Sequence, residues 1–231
     1  DAVGICGTDT HILDGSFASR PPVVLGHEFA GRVDAVGAEV AEIKEGDLVT
    51  VEPHIYCGLC RYCRTGREHL CLRKLAFGVH LDGGMAEAVS VPERTVYRLP
   101  RGTDPRIGAL AEPVACCVHA MDRLRVRAGL SLALFGAGPA GLVLVALARL
   151  SGAEPIVVLE PDPKRRAAAS AFGASAVVDA FAEDWREQAL GAVGVDGFDY
   201  VVDAVGAPRV LESAVSLAAR GGRVLVFGVA D

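Results

Sequence analysis

The sequence predicts an α/β chain in two parts, a small and mostly β domain followed by a doubly wound parallel sheet. Three observations carry this. The composition changes near residue 112, from short β-like runs broken by His, Cys, Gly and Pro to apolar strands alternating with Ala-rich helices. The chain is 51% hydrophobic but only 6% aromatic, a mixture that suits buried parallel strands covered by helices. A Gly136-x-Gly138-x-x-Gly141 turn joins a predicted strand to a predicted helix, the usual opening of a dinucleotide-binding βαβ unit.

The first part spans residues 1–112. Its β-like runs are Gly31–Val36, Asp47–Val51 and Met85–Val91, each bounded by turn residues. Residues 113–129 read as a connecting helix, with its pattern running Glu112–Ala128. The second part, 130–231, opens with strand Ser131–Phe135 and helix Pro139–Leu150, which carries Pro where a missing N–H is harmless. Strand Ile156–Leu159 and helix Pro163–Phe172, closed by Gly173, follow. Strands Ala176–Val178, Phe198–Asp203 and Arg223–Phe227 and helix Pro208–Ala219 complete a right-handed βαβ rhythm. Both ends read as cut. Residues 1–6 look like the middle of a unit ending in Cys6, and Arg223–Val229 form a strand with nothing after it, so both domains are expected to be truncated.

Charge and hydropathy exclude some functions. A net charge of −6 offers no electrostatic footprint for nucleic acid or anionic lipid. No run approaches the eighteen or so apolar residues of a membrane helix, and no signal peptide is visible. The seven cysteines are odd in number, and four fall within fifteen residues. That argues for metal binding in a reducing, cytoplasmic setting and against a disulfide framework.

Each glycine of the 136–141 turn has a physical task. Gly136 allows the tight turn, Gly138 lets the backbone approach a pyrophosphate, and Gly141 lets helix and strand pack closely, with the phosphates at the positive end of the helix. Glu160 stands at the end of the next strand, 24 residues after Gly136. A carboxylate there accepts ribose hydroxyls and repels a 2′-phosphate, so NAD is favoured over NADP, although Lys164-Arg165-Arg166 one turn on could tolerate a phosphate.

Two cysteine-bearing sets point to zinc. Cys57-x-x-Cys60-x-x-Cys63 followed by Cys71 gives four thiolates, a closed tetrahedral site and hence a structural one. It would pin a loop rich in Arg61, Arg64, Gly66 and Arg67. Cys6, His27 and Glu28 offer one sulfur, one imidazole and one carboxylate. Three protein ligands with an open position is the catalytic arrangement, although Gly26-His27-Glu28 alone could be a plain turn and Cys6 a small buried residue.

Taken together, Gly4-Ile-Cys6-Gly-Thr8-Asp9-Thr-His11, Gly26-His27-Glu28, the four-cysteine loop, Ala111-Glu112-Pro113 and the glycine turn occur in an order and spacing that resembles the zinc-dependent medium-chain alcohol dehydrogenases. The sorbitol (L-iditol), threonine and butanediol dehydrogenase branch is the nearest in look. The resemblance implies a GroES-like catalytic domain followed by a Rossmann domain, with the active site in the cleft between. It implies Cys6, His27 and Glu28 as ligands of a catalytic zinc, Glu112 as a further ligand or the carboxylate holding the zinc-bound water, and Asp9 as the carboxylate orienting His27. Thr8 and His11 match a proton relay. Gly136, Gly138, Pro139, Ala140, Gly141, Glu160 and Arg165 match the NAD site. Cys116 lies one turn from Glu112, but Cys116 and Cys117 read more simply as small core residues. His54, His69, His80 and His119 carry no motif and read as ordinary polar or packed side chains.

The function implied is hydride transfer from a small secondary alcohol, polyol or threonine to NAD, in a homo-oligomer, tetramer or dimer, with no nucleic-acid or membrane partner. The alternatives are a quinone reductase-like enzyme or a non-catalytic NAD-binding member of the same fold. The ligand set Cys6, His27 and Glu28 and the relay residues Thr8 and His11 speak against both.

Overall fold

The computed structural model describes residues 1–194 and 196–229, and the chain divides into two units, Asp1–Pro113 and Val114–Asp231. In the first, β1 (Ala2–Val3) leads into α1 (Gly7–Asp14), then β2 (Phe29–Arg32), β3 (Leu48–Val51), β4 (His54–Ile55), β5 (Leu75–Ala76), β6 (Val96–Arg98) and α2 (Pro105–Ala109). Strands β1-β2-β3-β6 form an antiparallel sheet, and β4 pairs with β5. Its buried centre is Phe29, Val51 and Phe77, with Val3, Ile55, Leu81, Val89, Val91 and Val96 packed around it.

Two of the strands expected here shift. The strand expected at Gly31–Val36 is β2 and lies earlier, at Phe29–Arg32. The expected strand Met85–Val91 is instead bend and coil. Gly83 and Gly84 press so closely on Gly26 and Phe29 that a β-carbon on Gly83 would lie 2.1 Å from the Gly26 oxygen. The chain bends where a ladder would need to run straight, and the alternation of Val89 and Val91 serves packing instead.

Helix α3 (Ala111–Leu124) crosses the unit boundary. Cys117, Ala120, Met121 and Leu124 form its buried stripe, at the spacing an amphipathic helix requires. Cys116, read as a core residue, is exposed because it lies off that stripe. Cys117 is fully buried, and its thiol faces the Ala140 carbonyl at 3.6 Å.

The second unit runs β7 (Leu132–Phe135), α4 (Pro139–Leu150), β8 (Ile156–Leu159), α5 (Pro163–Ala171), β9 (Ala176–Val178), α6 (Trp185–Gly191), β10 (Phe198–Asp203), α7 (Pro208–Leu217) and β11 (Ala218–Val226). All pairings are parallel, in the order β11-β10-β7-β8-β9. Alternate strand residues serve opposite faces. Leu132, Leu134, Ile156, Val158 and Val202 join α3 and α4 in one core. Ala133, Phe135, Val157, Leu159 and Val201 join α6 and α7 in the other. Each fully buried Leu, Ile or Val contributes roughly 1.5–3 kcal/mol relative to exposure. The chain goes out from β7 to β8 and β9, then returns to β10 on the other side of β7. Their carboxyl ends therefore flank a topological switch point, where open α/β sheets bind ligands. No helix of the described residues is long and apolar enough to cross a membrane.

Candidate functional site

The first cluster is built around the start of α1. Cys6 is the N-cap of that helix in extended backbone, so its side chain leaves the chain where the helix begins. Its N–H donates to Asp9 Oδ2 at 2.9 Å, and Asp9 Oδ1 accepts from Gly26 N–H at 3.4 Å. One buried carboxylate thus ties the Cys6 turn to the Gly26–Glu28 turn. The same Oδ1 stands 3.6 Å from His27 Nδ1, an ion-pair distance too long for a hydrogen bond, and Nδ1 is buried without a hydrogen-bond partner among the described residues. Cys6, His27 and Glu28 each offer a ligand atom, and these atoms lie within 4.8 Å of one another. Cys6 therefore meets His27 and Glu28, which lie 21 and 22 positions further along the sequence. That donor set fits zinc: a soft sulfur, an imidazole and a carboxylate.

The electrostatics suit a cation. Burial drives the His27 pKa down, but the facing Cys6 side chain and the Asp9 and Glu112 carboxylates outweigh it and raise the pKa to about 9. Burial and the charge of Glu112 raise Glu28. Glu112, in the first turn of α3, therefore acts on both His27 and Glu28 through its charge. Thr8 Oγ1 lies 3.7 Å from Cys6 Sγ. His11, one turn further along α1, pairs its Nδ1 with Ser16 Oγ at 2.9 Å and lies 4.0 Å from Asp14.

Two participants had no sequence signal. Ser16 holds His11 across a turn. His54 on β4 is held neutral: burial first, then the charges of Lys74, His27 and His80, lower its pKa to about 4. His54 is thus within electrostatic reach of the His27 cluster, although no spacing in the sequence announces it.

The second cluster is the four-cysteine lobe. A zinc held by Zn–S bonds of about 2.3 Å needs sulfurs roughly 3.8 Å apart. Cys57 and Cys63 are 3.9 Å apart, Cys60 and Cys63 are 3.5 Å apart, and all four ligand atoms lie within 4.8 Å. Backbone N–H groups already point at the sulfurs: Cys60 N to Cys57, and Cys57 N and Arg73 N to Cys71, each at 3.4 Å. The N–H groups of Leu59 and Cys60 pull the Cys57 pKa down to about 6, whereas desolvation pushes Cys63 up to about 12. Arg73, which the sequence did not single out, donates from Nη2 to Cys57 Sγ at 3.6 Å. All seven cysteines are free of disulfides.

The third feature is the glycine turn after β7. Gly136 has φ +93°, and a β-carbon on Gly141 would lie 2.1 Å from the Gly136 oxygen, so both positions need glycine for different reasons. A β-carbon on Gly138 meets nothing within 4 Å; open space lies where a pyrophosphate would approach. Pro139 opens α4 at its first position. Glu160 is buried, its Oε2 accepting from Ala137 N–H at 2.7 Å and its Oε1 from Asp162 N–H at 3.0 Å. Each oxygen keeps a further lone pair for a ligand hydroxyl. Arg165 is exposed, its backbone N–H bonded to the α5 cap Asp162. Across the switch point Asp203 is fully buried. Its Oδ1 accepts from Val205 and Gly206 N–H at 2.9 and 3.0 Å, and its Oδ2 has no partner among the described residues. The sequence reading gave Asp203 only a place in a strand.

Comparison with known proteins follows the same division. Residues 1–101 match the alcohol dehydrogenase GroES-like domain, and residues 139–231 match the zinc-binding dehydrogenase model. A relative in Pyrococcus furiosus, an L-threonine 3-dehydrogenase, is 38% identical over 99% of this chain and 66% of its own length. A Sinorhizobium meliloti protein solved with NADP bound is 42% identical with TM-score 0.95, over 99% of this chain and 68% of that one. The chain belongs to the zinc-dependent medium-chain dehydrogenase family. Another solved member, an alcohol dehydrogenase from Thermus sp. ATN1, is 33% identical with TM-score 0.89 over 99% of this chain. The chain spans 66% of the length of the Pyrococcus relative. Within this family frame the first unit is the GroES-like domain and the second the Rossmann-like one.

Proposed function

We propose that the whole protein is a zinc-dependent, NAD-linked dehydrogenase that oxidises a small secondary alcohol, polyol or threonine, in the cytoplasm and as a dimer or tetramer. The observation that carries this is the convergence of Cys6, His27 and Glu28 within 4.8 Å, three unlike donors that leave a coordination position open. The free cysteines fit a reducing compartment. Likeness to an L-threonine 3-dehydrogenase brings threonine into the candidate substrates.

Cys6, His27 and Glu28 would hold the catalytic zinc, Cys57, Cys60, Cys63 and Cys71 the structural one, and the Gly136–Gly141 turn with Glu160 the NAD. Bound there, zinc supplies Lewis acidity that eases deprotonation of a substrate hydroxyl, and nicotinamide supplies the hydride acceptor. The chain's own work is positional and protonic. Asp9 fixes Cys6 and Gly26 through backbone hydrogen bonds and faces His27. Thr8, whose hydroxyl lies beside Cys6, takes the substrate proton. His11, one turn on, passes it to solvent, a role suited to an imidazole, whose two ring nitrogens can accept and donate a proton. Glu112 adds negative charge to the cluster and favours a bound cation. Glu160, buried at the end of β8, takes the ribose hydroxyls and disfavours a 2′-phosphate.

The test uses full-length protein purified without added metal, assayed by NADH absorbance against L-threonine, 2,3-butanediol, sorbitol and xylitol. Cys6→Ser and His27→Ala should each abolish turnover and lose one zinc while NAD binding persists. Turnover that survives Cys6→Ser would rule out this reading.

A further inference from the structure

Gly4 carries no assigned role, yet its surroundings are specific. It follows β1, and its N–H donates to the Glu28 carbonyl at 2.7 Å, so the two backbones lie side by side. A β-carbon on Gly4 would stand 2.2 Å from Glu28 Oε2, 3.1 Å from its Cβ and 3.3 Å from its Cδ. The three nearest atoms all belong to one side chain, and that side chain is a donor of the Cys6–His27–Glu28 cluster. Gly4 is not among the glycines with positive φ, so an L-residue can follow the chain path there. What position 4 cannot accept is a side chain in the place of the Glu28 carboxylate.

We propose that Gly4 is a positioning residue for the metal cluster: its missing β-carbon is the seat that lets the Glu28 carboxylate reach Cys6 and His27. This rests on the proposed reading of Glu28 as a ligand. The clash is with the far end of a flexible side chain, which can swing away. Gly4→Ala should therefore fold and misplace the carboxylate. Gly7, three residues on, is the natural control, since a β-carbon there meets nothing within 4 Å.

The experiment titrates Co²⁺ into the full-length protein with its four-cysteine site kept loaded, reading the thiolate-to-cobalt absorption of Cys6, with thermal unfolding followed in parallel. Gly4→Ala should weaken Co²⁺ binding by roughly tenfold or more, the scale of losing a group that orients a metal ligand, and should shift the ligand-field bands. Gly7→Ala should bind as the parent does. Glu28→Ala should weaken binding, and Gly4→Ala/Glu28→Ala should be no weaker than Glu28→Ala alone, because the carboxylate oxygen 2.2 Å away is gone and only the milder β-carbon contact at 3.1 Å remains. Parent-like binding by Gly4→Ala beside a weakened Glu28→Ala would overturn the proposal and leave the metal reading standing. Parent-like binding by Glu28→Ala would instead remove Glu28 from the ligands. Losses that multiply in the double variant, an equal loss in Gly7→Ala, or unfolding of Gly4→Ala that persists in the Glu28→Ala background would each show that Gly4 acts on something other than the carboxylate.

Discussion

Asp203 shows how a single buried carboxylate can hold a ligand-binding edge together. Its Oδ1 caps the Val205 and Gly206 N–H groups, and its backbone oxygen accepts from Phe227 and Gly228 at 2.8 and 2.9 Å. The two loops at the carboxyl ends of β10 and β11 are therefore fixed from one residue. Asp203→Ala leaves two N–H groups without their acceptor, and should cost about 2–6 kcal/mol in denaturant unfolding at roughly 1–3 kcal/mol per orphaned buried group. Asp203→Asn keeps an acceptor and should cost less. Equal losses in the two variants would mean that packing, not capping, is what Asp203 supplies. His54 makes a second prediction at this scale. Its folded pKa of about 4 lies below the free-imidazole value of about 6.5, so the unfolded state binds the extra proton between those values. The stability from keeping His54 neutral is whole above about pH 6.5 and is lost as pH falls towards about 4. His54→Asn should flatten that part of the decline in melting temperature, and parallel pH curves for parent and variant would refute it. Neither residue was legible in the sequence, because each owes its role to neighbours brought together by the fold. Cys6, His27 and Glu28 were legible only through their motif context, since nothing local says that residues 6 and 28 meet.

Among elements, legibility follows burial. Strands β7, β8 and β9 stood out because both of their faces are covered, so they read as unbroken apolar runs, and β10 keeps the apolar stretch Tyr200–Val202 between Asp199 and Asp203. Helices α4 and α5 announced their starts with Pro at the first turn. The eight-residue α1 was missed because its face is polar and only Asp9 is buried; Cys6 is its N-cap, and Thr8 and His11 lie within it. Helix α6 was missed for a similar reason, with Ala189 its one buried residue. The four-cysteine lobe is the opposite case, plain in the spacing yet nearly without regular structure. Its two short 3₁₀ turns, Cys63–Thr65 and Glu68–Leu70, bury no residue. With zinc held as proposed, such a segment would depend on its metal. Cys60→Ser should reduce the zinc content and lower the melting temperature. Arg73→Ala, which removes the guanidinium facing Cys57, should speed zinc loss to a chelator without removing a ligand. A Cys60→Ser protein that keeps its full zinc content would contradict the structural assignment.

At the scale of the whole molecule the two units are stabilised by different means. The second has two extended cores, one on each face of its sheet, with many side chains sealed from solvent. The first has three buried side chains at its centre, Phe29, Val51 and Phe77, and two clusters of metal-ligating groups. That centre is smaller than either core of the second unit, so burial, at roughly 1.5–3 kcal/mol per large side chain, contributes less there, and metal bound at the proposed sites would add to the first unit's stability. Metal removal should therefore affect the units unequally. The chain offers a built-in reporter, because its one Trp is Trp185 on α6, in the second unit, edge-on to Phe135 with ring centroids 5.9 Å apart. Stripping zinc with a strong chelator should raise the number of thiols that react rapidly, as Cys57, Cys60, Cys63 and Cys71 come free, and should lower the first transition in calorimetry. Trp185 emission should stay at its native wavelength until the second, metal-insensitive transition. A red shift of Trp185 that accompanies zinc loss would mean that the second unit does not stand on its own cores, and that its stability is tied to metal bound in the first.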